Sequence, residues 1–526
     1  MTSVGDLGPD DAGGAGGGVD DDGAVPALDL MLDEIDQAVE PVSESTAFAP
    51  AAGIPVAGGA MLALPPEEPL APATGESFRS GFSQAGPVAV AGLIVNGASA
   101  VIVVIVAHLV TPRAYGAIAQ LLGLFFILSM PGSAVLVGVV RRVTALRASG
   151  HPERVHRWAT KVHRLLLAVI VVELAVVWVL QDWIARQLSL PNSQGVLLIL
   201  VAAGVWILLC VDRGLLQAHR DYRALAVNLL VEGGMRTVCV IGFVAAGMGV
   251  SGYALGIFLS EVVATVHARW LASRAWPAVP VAPVPGDPVA LTAAHQAAGA
   301  EVARRVLIAD VSAAFVGLAL LGLLQNVDVI LLGRLNHAEA GAYAAISVAS
   351  KALVFGALAL GAYLLPEATI RWNEGGHALR QLLVTLAFLA VPAMVLLGIA
   401  LFVPVRFLSL IFTPRLATAA PAFATLVGAM IFLCISVLLT NYLFGAGSRW
   451  IVLLLAGGSA LAVGLVFAAD GRPVATARVD LLVQALLAAA MGTAFVLIHY
   501  RHHGERWRQQ GQLPGAARRL RRAPPG

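Results

Sequence analysis

The chain has 526 residues, of which 58% are hydrophobic and 13% charged, and its mean hydropathy is +0.82. Soluble domains average about 45–50% apolar and about 25% charged residues, so this composition excludes an ordinary water-soluble globular fold. Net charge is +2, yet residues 1–80 hold 15 of the 32 acidic side chains against one base, Arg79, which leaves the remainder strongly basic. Membrane proteins use such an excess to orient their loops, and it implies no nucleic-acid partner.

Taken in chain order, residues 1–80 open with GDLGPDDAGGAGGGVDDDG, acidic and glycine-rich and without the basic start of a signal peptide. Such a stretch cannot bury enough apolar surface to offset its ordering entropy, so a disordered tail is expected. Within it, residues 27–39 carry helical apolar spacing that suits a short helix formed on a partner. Apolar segments then recur near 87–109, 116–138, 161–182, 193–212, 224–248 and 250–272, a first set of six spans. Residues 273–305 read as a linker with Pro277, Pro280, Pro283, Pro285 and Pro288, followed by an amphipathic stretch, 290–305, expected at the membrane surface. Six further spans fall near 306–333, 341–365, 377–402, 418–440, 450–468 and 479–500. Residues 501–526 form a basic tail whose RRLRR run, 518–522, suits anionic lipid. The expected fold is therefore an all-α polytopic membrane protein, with about twelve transmembrane helices in two six-helix bundles, 87–272 and 306–500.

Loop charge sets the expected orientation. Loops after spans 2, 4, 6, 8 and 10 hold 17 Lys or Arg, whereas those on the opposite side hold seven: Arg113, Arg186, Arg334, Arg406, Arg415, Arg472 and Arg478. The richest loop carries Arg141, Arg142, Arg147, Arg154, Arg157, Lys161 and Arg164. By the positive-inside rule that side is cytoplasmic, as are both termini. Cys210, Cys239 and Cys434 lie far apart inside apolar segments, which favours buried thiols over a disulfide framework or a metal site.

One local match relates the two halves. AHLVTPRAYGAIA (107–119) ends span 1, and GRLNHAEAGAYAA (333–345) ends span 7; each crosses a short turn and restarts at a glycine, Gly116 or Gly341. With six spans per half, this points to a parallel duplication about an axis along the membrane normal.

These residues resemble the polysaccharide (O-antigen or exopolysaccharide) flippase branch of the multidrug/oligosaccharidyl-lipid/polysaccharide (MOP) exporter superfamily. The likeness spans roughly 85–500 and is carried by AHLVTPRAYG, the Arg141–Arg142 pair, DRGLLQAHRDYRALAVNLL (212–230), LLQNVDVILLGRL (323–335), EAGAYAA (339–345) and LLPEATIRW (364–372). The resemblance implies two bundles enclosing a cavity that opens alternately to each side. It also implies a bacterial inner-membrane location and a polyprenyl-linked oligosaccharide as cargo, flipped outward with H+ or Na+ as the coupling ion. Membrane lipids and polysaccharide-assembly proteins are the remaining partners it suggests. No cofactor is expected.

Ionisable groups inside a bilayer are expensive and tend to face a partner or a cavity. Glu232 and Arg236, four apart on span 5, share a helix face and fit either an internal ion pair or a contact with the saccharide headgroup. Asp328, preceded by Gln325 and Asn326, makes span 7 the most polar and suits either a cavity acid or an interhelical hydrogen bond. Lys351 in span 8 is expected to pair with an acid such as Asp328 or to reach a lipid phosphate. Glu173, Glu261 and Asp310 are expected to serve packing. Arg213, Arg220 and Arg223 are candidates for a headgroup site at the cytoplasmic mouth through their forked donors.

Competing functions are less well served. No Ser-His-Asp, HExxH or P-loop pattern stands in the chain, and TPRAYG, the first outer loop, lacks the carboxylates that a polyprenyl-donor transferase would need, so no enzymatic role is expected. An ion-coupled multidrug exporter or a lipid II flippase of the same superfamily is the alternative; the latter's pattern has fourteen spans.

Overall fold

Thr111 and Pro112 show how the local sequence starts a helix. The Thr111 hydroxyl accepts from the Ala114 amide at 3.3 Å, and proline occupies the first helical position, where its missing N–H costs nothing. Asp221 caps another helix by accepting from the Ala224 amide at 2.9 Å. In a computed structural model of the protein, the described residues are 75–148, 153–190, 192–275, 293–373 and 379–512. Among them the helices are α1 (Gly75–Leu109), α2 (Pro112–Ser129), α3 (Gly132–Ala148), α4 (Glu153–Gln187), α5 (Gln194–Ala218), α6 (Tyr222–Phe243) and α7 (Gly249–Ala275). The second set comprises α8 (Ala293–Leu335), α9 (His337–Asn373), α10 (Leu379–Phe402), the short α11 (Pro404–Ile411), α12 (Ala420–Gly445), α13 (Ile451–Ala468) and α14 (Pro473–Gln512).

Eleven helical stretches are long and apolar enough to cross a membrane, so the chain is a multi-pass membrane protein. One of them, Tyr222–Ala275, has 54 residues, about 80 Å as a straight helix against a hydrocarbon core of about 30 Å. It folds back on itself at Gly247 (φ +86°) and Gly249 (φ +53°), which adopt backbone conformations that a side chain would strain. The two arms pack antiparallel: a Cβ on Gly256 would touch Val240, and one on Gly252 would touch Phe243. Counted as two crossings, this hairpin brings the total to twelve among the described residues. α2 and α3 form a single crossing, broken at Met130–Pro131.

Within the first half, α1 packs on α6, α5 on both α3 and α7, and α6 on α7. α4 rests chiefly on α5 and buries few of its residues; the Glu173 carboxylate fills the space that Gly204 leaves open. In the second half α12 is central, with α9 and α14 against it, and α13 joins α8 to α14. Between the halves, α2 packs on α8 and α9, and α3 on α8.

Several boundaries correct the sequence expectation. α1 begins at Gly75, inside the segment expected to be disordered: no proline interrupts 75–86. α8 runs unbroken for 43 residues from Ala293, so the amphipathic stretch is collinear with span 7 and not a separate surface helix. α14 continues past the apolar run to Gln512 and takes up part of the C-terminal tail. The acidic tail up to residue 74, the proline-rich segment 276–292 and the RRLRR run lie outside the described residues, as does the side chain of Asp310.

Candidate functional site

The chain reversals place two loop sets at opposite ends, called here the Thr111 end and the Arg147 end. Ser189 Oγ donates to the Arg334 carbonyl at 3.3 Å and Asn336 Nδ2 to that of Gly471 at 3.2 Å, both at the Thr111 end. At the other end Arg147 Nη1 donates to the Ala218 carbonyl at 3.1 Å.

Small residues hold the two halves together along a seam running inward from the Thr111 end. A Cβ on Gly341 would stand 2.0 Å from the Pro112 carbonyl oxygen, and one on Gly116 would stand 2.8 Å from the Gly341 amide nitrogen. The two glycines that restart the repeated motif therefore meet each other across the halves. Farther in, Gly123 faces Asn326 and Ile330, and Gly322 faces Ile127 and Met130. The buried Gln120 amide crosses the seam, donating to the Ile330 carbonyl at 3.1 Å and to that of Leu188 at 3.3 Å. Phe126 meets Phe355 edge-on at 6.1 Å.

Each half encloses a charged network. In the first, Arg236 binds Glu232 one turn earlier on α6 and Glu261 Oε1 on α7 at 2.5 Å. Arg213 of α5 reaches the other oxygen of Glu232 at 2.5 Å and Asn228 Oδ1 at 2.8 Å, and its guanidinium lies 5.4 Å over the Trp206 ring. Asn228 in turn donates to the Ala264 carbonyl at 2.8 Å. Two cations thus meet two carboxylates buried inside the bundle. Glu232 and Arg236 come together as their spacing predicts, and Glu261, expected only to pack, completes the set. Arg213, grouped from sequence with Arg220 and Arg223 at the mouth, is buried within this network because its fork finds a carboxylate there; Arg220 and Arg223 are exposed at the Arg147 end.

Nearer the Arg147 end lies a trio that sequence reasoning missed. His163 Nε2 of α4 stands 2.9 Å from Asp212 Oδ1 of α5, and Arg269 of α7 lies 3.5 Å from the same oxygen. His163 Nδ1 stands 2.7 Å from the Ala159 carbonyl.

The second half brings Asn326, Asp328 and Lys351 together. Lys351 Nζ lies 3.5 Å from Asp328 Oδ1 and 3.4 Å from Asn326 Oδ1, and Tyr343 donates its hydroxyl to Asp328 Oδ2 at 3.1 Å. Gln325 is buried beside them. Because Asn326 also faces Gly123 of α2, this network borders the seam. Asp480 was missed: it stands two residues from Arg478, at what the sequence marks as the end of span 12, yet α14 starts seven residues earlier and buries it.

The sequence matches no protein-family model and no curated protein. Solved structures do match. A multidrug resistance MATE family transporter of the MOP superfamily, in an inward-facing conformation, superposes with a TM-score of 0.58 at 12% identity, over 77% of this chain and 95% of that one. The outward-facing conformation of such a transporter gives 0.53 at 14% identity, over 80% and 96%. A MOP superfamily transporter from Pyrococcus furiosus, described as having a binding pocket of reversed polarity, gives 0.51 at 15% identity, over 80% and 94%. At such identities the likeness is one of fold: an all-helical, multi-pass architecture of the MATE type.

Proposed function

We propose that the protein is a carrier that flips a polyprenyl-linked oligosaccharide from the cytoplasmic to the outer leaflet by alternating access. The Arg147 end is taken as cytoplasmic and the Thr111 end as outer, in a bacterial inner membrane with both termini inside. The seam, gathered from the Thr111 end inward, supports a state closed on the outer side. The observation that carries the choice of cargo is one face of α4. Arg157, Lys161 and Arg164 follow one another at helical spacing, all exposed, and the same face continues as Ala168, Val171, Ala175 and Trp178, also exposed. Cationic groups at headgroup depth above a bare apolar track match an anionic lipid, phosphate over acyl chain. In this reading Lys351 and Asn326, which border the seam, meet the saccharide headgroup, and Arg220 and Arg223 add charge at the mouth.

Reconstitution tests it. Vesicles containing the full-length protein should equilibrate a fluorescent polyprenyl-diphosphate oligosaccharide between leaflets faster than protein-free vesicles, as read with a membrane-impermeant quencher. Changing Arg157, Lys161 and Arg164 together to Gln should slow this several-fold at equal protein content. Transport of a cationic dye with no movement of the lipid-linked saccharide would replace the proposal with the multidrug exporter reading.

A further inference from the structure

The segment between α10 and α12 has two faces with different surroundings. α10 has 24 residues, about 36 Å of helix against a hydrocarbon core of about 30 Å, so its last residue, Phe402, emerges at headgroup depth. The backbone leaves the helix at Val403 (φ −136°, ψ 38°), and Pro404 occupies the first position of α11. After Phe412 a 3-10 turn, Pro414–Ala419, leads into α12. α9 enters from the Thr111 end and α10 returns to it, which puts residues 403–419 at that end.

One face is turned inward. Leu408, Phe412 and Leu416 are buried, and Phe407 stacks on Phe423 of α12 with ring centres 5.9 Å apart. The 3-10 turn packs along α9. The Phe412 ring meets Tyr115 of α2 at 6.3 Å, and Tyr115 belongs to the other half, next to Gly116 where the seam begins. The segment therefore closes over the Thr111 end of the seam and touches both halves. Its hold on Tyr115 is apolar, for the Tyr115 hydroxyl is buried without a hydrogen-bond partner.

The other face is bare. Phe402 is 85% exposed and Leu410 83%, and Leu401, Val403 and Val405 beside them are exposed as well. Apolar side chains gathered so openly mark a membrane or partner contact, and continuity with α10 decides between the two. Val384, Phe388, Val391 and Val395 recur at helical spacing on one exposed face of α10, and Phe402 is the end of that same face. What covers it along the span is acyl chain, so what covers its end is the lipid interface. Arg406 and Arg415 stand exposed in the same segment, at the depth where phosphates lie. Apolar side chains and arginines on a short helix at that depth are the composition of an interfacial anchor.

We propose that residues 402–415 form a lipid-anchored cap on the seam. Its outward face sits in an anionic phospholipid surface at the Thr111 end, and its inward face shuts the seam by pressing Phe412 against Tyr115. Closure of the two halves is thereby tied to the composition of the leaflet at that end. This inference goes beyond the flipping reading and needs neither a particular cargo nor a choice of which end is outer.

Two measurements on the full-length protein test it, in vesicles of phosphatidylcholine alone or with added phosphatidylglycerol. A fluorophore on Leu410→Cys, with the wild type as blank for the buried native cysteines, should be quenched strongly by lipid carrying a nitroxide near its headgroup. A nitroxide deep in the acyl chain should quench less, and iodide in the water hardly at all. Quenching by iodide alone would overturn the anchor, as would quenching by none of the three, which means that a second copy covers the patch. The second measurement reads the seam through Ile330→Cys, since the native side chain lies against Gly123 across it. Its rate of reaction with N-ethylmaleimide should rise several-fold in both lipids when Phe402→Ser and Leu410→Ser are added, a pair that alters only exposed side chains. Arg406→Gln with Arg415→Gln should raise the rate in vesicles with phosphatidylglycerol and leave it unchanged in phosphatidylcholine alone. Phe412→Ala should raise it in either lipid. A rate unmoved by the serine pair, or an arginine effect equal in both lipids, would overturn the cap. Failure of the polyprenyl-lipid assay with these responses intact would remove only the cargo reading.

Discussion

Removing the Arg236 guanidinium does not orphan its two carboxylates equally. Glu232 keeps Arg213 at 2.5 Å, whereas Glu261 has Arg236 as its sole ion-pair partner among the described residues. Breaking a buried ion pair costs about 3–5 kcal/mol, because a charge is left uncompensated in a low dielectric. Arg236→Gln should therefore destabilise by about that much, nearly all of it at Glu261. Glu261→Gln should cost less, about 1.5–3 kcal/mol, since Arg236 still holds Glu232 and only a charge-assisted hydrogen bond is lost. The double variant Arg236→Gln, Glu261→Gln leaves Arg213 and Glu232 as a closed pair, so it should recover most of the Arg236→Gln loss, a coupling of about 2–3 kcal/mol. Arg236→Gln with Glu232→Gln should not recover, for it strands both Glu261 and Arg213. Unfolding free energies of the full-length protein, measured in mixed micelles at increasing denaturing detergent, give the cycle directly. Equal recovery by the two double variants, or none by the first, would refute the partner assignment.

The seam gives a second expectation. Gly341→Val forces side-chain atoms into the Pro112 carbonyl and should lower Tm by several degrees, whereas Gly457→Ala, with nothing within 4 Å, should leave it unchanged or raise it slightly. Comparable melts for the two would mean that the halves do not meet there. For orientation, cysteines placed at Asn192 and Gly471 should react with an impermeant thiol reagent applied outside cells, and one in the 149–152 segment should not. The reverse pattern would invert the direction of transport proposed above.

Much of the architecture was legible because a bilayer imposes a length on each apolar run, and twelve runs of that length stand in the sequence. Helix ends beyond the membrane were not, because water tolerates either state: α8 and α14 simply continue as helices past the apolar limit. Within one helix, the four-residue spacing of Glu232 and Arg236 revealed a pair. Arg213 and Glu261 belong to other helices, and no spacing in sequence encodes which faces of α5, α6 and α7 meet. His163 and Asp212 were hidden for the same reason. Asp480 was hidden by its neighbour Arg478, which suggests a loop until the helix start at Pro473 is known. The two motif glycines were noticed as a repeat, yet their mutual contact follows only from the pairing of α2 with α9.

That contact has a consequence for what happens when the halves part. Lipid tails are as apolar as most side chains, so little hydrophobic force holds such a seam, and its cohesion comes from close fit and the Gln120 amide. Separation uncovers the Phe126 and Phe355 rings and, beside them, two shallow furrows floored by backbone at Gly116 and Gly123 on one side and at Gly322, Gly333 and Gly341 on the other. A furrow of that depth has the calibre of a single hydrocarbon chain. In the lipid-carrier reading proposed above, the surfaces that shut the protein when pressed together offer, once apart, a greased rail along which a lipid tail runs while its headgroup travels between the bundles.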